Sequence, residues 1–68
     1  SGSFEVMKRY VREGLGVAIL PQMVMDASDD DLAVHTMPEL PEIGIGVIWH
    51  KRGYLSKTAR AFIQLLQA

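Results

Sequence analysis

Apolar and polar positions change their period along this chain, and each change marks an element. Met7, Tyr10 and Val11, with Gly14 beyond them, recur at helical spacing, while Lys8, Arg9, Arg12 and Glu13 lie largely off that stripe. The spacing predicts a helix over 4–13. Ser3 is placed to cap it, because a serine hydroxyl accepts from a backbone N–H left unpaired in the first turn. Glu5 near the start and Arg12 near the end suit the helix dipole. Gly14 suits the position just past the end, where positive φ is common. Residues 17–20 are then apolar at every position, as in a strand buried on both faces of a parallel sheet. In this reading Ile19 is a core residue. Pro21 ends the strand and suits the start of a short helical turn over 22–25.

Residues 26–31 carry four aspartates and read as a solvated loop. Alternation returns over 32–37, with Leu32, Val34 and Thr36 facing one way and Ala33, His35 and Met37 the other, which predicts a half-buried strand. Pro38 and Pro41 interrupt it. A longer strand is predicted over 43–51. Ile43, Ile45, Val47 and Trp49 share one face, and Gly44 and Gly46 leave room for close approach on the other. After a turn at Arg52 and Gly53, Ser56 caps a final helix over 57–67 with the apolar stripe Ala59, Phe62, Ile63 and Leu66. The order of elements predicts an α/β fold, with mixed or parallel strands flanked by helices in three layers.

Composition narrows the picture. A chain of 68 residues is one small domain at most, and it buries only about 60% of its unfolded surface. Such chains gain stability from disulfides, metals or association. There is no cysteine, which removes disulfides and thiolate metal sites and leaves association, so a homo-oligomer is expected. At 49% hydrophobic the chain is too apolar for disorder. Its net charge of −1 gives no field that steers it to nucleic acid or an anionic membrane. No apolar run approaches the ~18 residues of a spanning helix, so no membrane partner is expected. Starting without Met and almost directly in a helix reads as a piece of a longer chain.

Candidate chemistry is sparse. His35 and His50 lack metal-ligand spacing, no cysteine supports them, and ordinary strand histidines are the better reading. The aspartate run lacks the alternating ligands, central Gly and terminal Glu of a calcium loop. Gly14 and Gly16 precede a strand, whereas a phosphate-binding loop follows one. Ser56 is needed as a cap and nothing marks a base beside it, so no catalytic set is formed and no enzyme is expected. Lys51, Arg52 and Lys57 make a small basic cluster without aromatic platforms, which reads as solvated surface. No cofactor is implied.

The wording of the elements adds a resemblance. Val11 before Gly14-Leu15-Gly16, the apolar 17–20 ended by Pro21, and Leu55-Ser56 opening a helix that carries Ala59, Ala61 and Phe62 together resemble the end of the effector-binding domain of LysR-type transcriptional regulators. The run 2–11, GSFEVMKRYV, looks like the subgroup related to the cysteine-biosynthesis regulators. The resemblance covers nearly the whole chain, and it rests on order and spacing more than on one motif. It implies two α/β subdomains like those of type-2 periplasmic binding proteins, with a small-molecule effector in the cleft between them. It further implies a cytoplasmic protein that meets DNA only through a separate helix-turn-helix domain. The helix begun by Ser3 and Phe4 would point its N-terminus toward the cleft, where backbone N–H groups suit an anionic effector, against the simpler reading of capping and packing. A solute-binding protein of the same architecture is the alternative, and an upstream signal peptide would favour it. An enzyme on that fold is a third reading, with no catalytic set to support it.

Overall fold

A computed structural model describes residues 2–38 and 43–68. Ser1 and the 39–42 part of the proline-bearing connection, Pro41 included, lie outside them.

Helix α1 spans Gly2–Arg12, with Glu5 in its first turn and Arg9 and Arg12 in its last. It begins earlier than the apolar stripe does, so Ser3 is a residue of the first turn and not the cap that the sequence suggests. Its far end closes as expected. Gly14 has φ +81°. Its N–H donates to Val11 O at 3.1 Å, and the Leu15 N–H donates to Tyr10 O at 3.1 Å. This pair of backward bonds satisfies the last carbonyls and needs a residue at positive φ, which glycine adopts without steric cost.

Three strands follow: β1, Ala18–Pro21; β2, Leu32–Thr36; and β3, Ile45–His50. Their order in the sheet is β1-β3-β2. Both pairings are antiparallel, Ala18 opposite Ile48 on one side and Val34 opposite Ile48 on the other. The unbroken apolar run of the first strand pointed to a parallel, doubly covered strand, and the structure corrects this. β1 is an edge strand with one covered face: Leu20 is buried, while Ile19 is 57% exposed. The chain between β1 and β2 makes two 3₁₀ turns, Gln22–Val24 directly after Pro21 and Ala27–Asp29. β3 starts later than its pattern, because Gly44 turns the chain at φ +65°.

The register places Ala18, Leu20, Leu32 and Ile48 on one face of the sheet. α1 packs there. Val11, Leu20, Leu32 and Ile48 form the core, with Phe4, Met7, Ala18, Val24 and Met25 against it. Gly46 lies on the same face, where an added Cβ would come within 3.0 Å of Val34 Cγ1 and 3.2 Å of Gln22 Cγ. The close approach predicted there is made by neighbouring side chains. Helix α2, Lys57–Leu66, starts at Ser56, whose hydroxyl accepts from the Ala59 N–H at 3.1 Å. Of its stripe Ile63 is buried, Ala59 and Leu66 are half-buried, and Phe62 is 38% exposed. Among the described residues no helix is long and apolar enough to cross a membrane.

Candidate functional site

The most developed polar feature joins α1 to the chain between β1 and β2. Lys8 is 1% exposed. Its Nζ donates to Asp29 Oδ2 at 2.8 Å, to Glu5 Oε2 at 3.2 Å and to the Val24 carbonyl. Arg12 donates through Nη2 to Asp29 Oδ1 at 2.6 Å, and through Nε and Nη2 to both carboxylate oxygens of Asp31 at 2.7 and 3.0 Å. Asp29 also accepts the Asp26 N–H at 3.0 Å, as part of the capping box that opens the second 3₁₀ turn. Burying a charge is tolerable only when it is paired and its remaining hydrogen-bonding positions are filled. Here both conditions hold: among the described residues no buried side-chain nitrogen or oxygen lacks a partner.

This cluster corrects two expectations. The run Asp29-Asp30-Asp31 is not uniformly solvated: Asp29 is buried, Asp31 is half-buried, and Asp30 alone is exposed. Lys8 does not lie off the buried stripe of α1, and Tyr10, placed on that stripe, is 58% exposed. The spacing that could have shown this was present. Phe4, Met7, Lys8 and Val11 follow the i, i+3, i+4, i+7 rule, so the lysine occupies a core position of the helix. A buried lysine in turn requires an acidic partner from another element.

The charges respond to one another. Burial pushes the Asp29 carboxyl up, but hydrogen bonds from Lys8, Arg12 and the Asp26 N–H outweigh it and hold the group down at about 2. The bond to Asp29 raises Lys8 against the opposing effect of burial. Bonds to Asp31 and Asp29 raise Arg12, and Arg12 lowers Asp31. Within the cluster Lys8 and Arg12 are held in their charged forms by Asp29 and Asp31, and those two carboxylates are held in theirs. A carboxyl whose folded value is depressed adds stability above its unfolded value, about 3.9, and loses it as pH falls through the folded one. Acid titration followed by circular dichroism is accordingly expected to show a flat plateau above about pH 4 and a loss of stability between about pH 4 and 2. When Lys8 and Asp29 are replaced together by Met and Leu, the part of that loss carried by Asp29 should be absent, while the part carried by Asp26 and Asp31, whose carboxyls are also held down, should remain.

The two residues expected at an effector site sit together in the first turn of α1. Ser3 is exposed, and Phe4 is half-buried against the core. Two hollows stand out elsewhere on the surface of the described residues. One is an apolar groove of about 770 Å³ bordered by Met7, Tyr10, Leu15, Ile19 and Phe62. The other, of about 300 Å³, lies among Asp30, Asp31, His50, Lys51 and Arg52. In it His50 Nδ1 accepts the Arg52 N–H at 3.2 Å, and His50 Nε2 lies 3.9 Å from Asp31 Oδ2. His35 pairs with Val47 and His50 with Leu32, which puts the histidines on opposite faces of the sheet. No group of His, Cys, Asp and Glu suited to a metal ion occurs among the described residues.

The architecture is that of a mixed helix-and-strand piece, consistent with an α/β fold, and no catalytic set is assembled among the described residues. Comparison with known families gives it a place. The LysR substrate binding domain matches residues 1–68, and the chain belongs to that family. It is similar to an uncharacterized HTH-type transcriptional regulator, YwqM, from Bacillus subtilis (strain 168), at 37% identity over 68 residues. The match covers 93% of this chain and 22% of that protein. The chain thus spans about a fifth of the length of the curated relative it matches. No solved structure matches the chain.

Proposed function

We propose that this chain is the C-terminal part of the effector-sensing domain of a LysR-type transcription regulator, in a two-subdomain, three-layer fold. The match of the family over residues 1–68 carries the reading. The similarity to a regulator named for its helix-turn-helix favours regulation over solute transport. In this reading DNA is contacted by another domain, the protein works in the cytoplasm, and this segment is not an enzyme. An effector that binds one arrangement of the domain better than another shifts the population between them and so repositions the DNA-binding parts. The run GSFEVMKRYV resembles the cysteine-biosynthesis subgroup, and this reading includes that resemblance.

Ser3 and Phe4 are our candidates for effector contact. They open an 11-residue helix, whose N-terminal N–H groups and positive dipole end suit an anion. Calorimetry on the full-length regulator, with sulfate and small carboxylates as probes, tests this. The double variant Ser3→Ala, Phe4→Ala is expected to weaken anion binding about tenfold. It should leave non-specific DNA affinity at fixed salt unchanged, because those contacts belong to another domain. Unchanged anion affinity in a folded double variant removes both residues from the site.

Self-association belongs to the same reading. The buried hydrophobic core among the described residues is six side chains, Val11, Leu20, Leu32, Val47, Ile48 and Ile63, and a core so small favours added burial between copies. Sedimentation of the 68-residue chain at micromolar concentration is expected to show at least a dimer. A stable, folded monomer would refute it.

A further inference from the structure

We draw no further inference here: the strongest candidate, the apolar groove bordered by α1, the loop after it, β1 and Phe62 of α2, is an unpartnered face, and nothing in the structure distinguishes a second copy from another part of the same domain as its cover.

Discussion

Asp29→Ala is expected to cost about 3–5 kcal/mol, because it leaves the ammonium of Lys8 buried without its closest counter-charge. Lys8 is 1% exposed, so in the folded chain its ammonium depends on protein partners rather than on water. Glu5 does not replace the lost partner, since its side chain is 69% exposed and reaches Lys8 at 3.2 Å against 2.8 Å for Asp29. The Asp26 N–H loses its acceptor as well. A single core in a chain of 68 residues rarely supplies more than about 3–5 kcal/mol, so the variant should be largely unfolded at room temperature by circular dichroism. Asp30→Ala, one residue on and exposed, should stay within about 0.5 kcal/mol. The double variant Lys8→Met, Asp29→Leu removes both buried charges and should lose less than Asp29→Ala alone. Equal denaturant midpoints for Asp29→Ala and Asp30→Ala would show that the carboxylate of Asp29 is not buried among its partners.

Ile48→Ala should be nearly as damaging, at about 2–5 kcal/mol, as expected for a large-to-small change in a well-packed site. Ile48 is fully buried. It lies on the central strand, with Ala18 on one side and Val34 on the other, beneath α1. Ile19→Ala makes the same chemical change on the exposed face of β1 and should cost less than about 1 kcal/mol in the isolated chain, because most of that side chain already meets water. The ordering is the reverse of what the apolar run 17–20 implies. Urea melts of the two variants measure it, and a larger loss for Ile19→Ala would place the core on the opposite face of the sheet.

Local chemistry was legible in the sequence at the ends of several elements, though not at Ser3, which lies inside α1, nor at Asp26 and Asp29, whose capping box opens a 3₁₀ turn. Gly14 closes α1 at positive φ, Ser56 caps α2, and Pro21 leads into a 3₁₀ turn, each by a mechanism spanning a few residues. What escaped depends on which elements meet. Four apolar residues in a row cannot tell a strand covered on both faces from an edge strand with one face open, and Ile19 sits where that ambiguity matters. Lys8 reads as surface by its charge and as core by its spacing, and the fold follows the spacing. Its burial makes sense only once Asp29, 21 residues on, is brought beneath the same helix. The candidate effector residues remain a matter of resemblance. Ser3 and Phe4 have the chemistry of any helix start, and no spacing in the sequence sets them apart from a simple capping turn.

The central place of β3 also sets an order of events. Among the described residues β1 and β2 share no edge, and each pairs only with β3. As a ribosome delivers the chain from its N-terminus, both outer strands emerge before the strand that joins them. α1 can coil early, and the ion pairs can fasten it to the chain between the outer strands. The ladder must still wait for residues 45–50, closing loops of about 24 residues for Pro21 opposite Ile45 and about 10 for Thr36 opposite Gly46. Long-range pairings of this kind slow folding and leave strand edges open meanwhile. The nearer partner, β2, should zip to β3 first and β1 should dock last, so β1 is the edge through which a nascent or stressed chain is most open to aggregation.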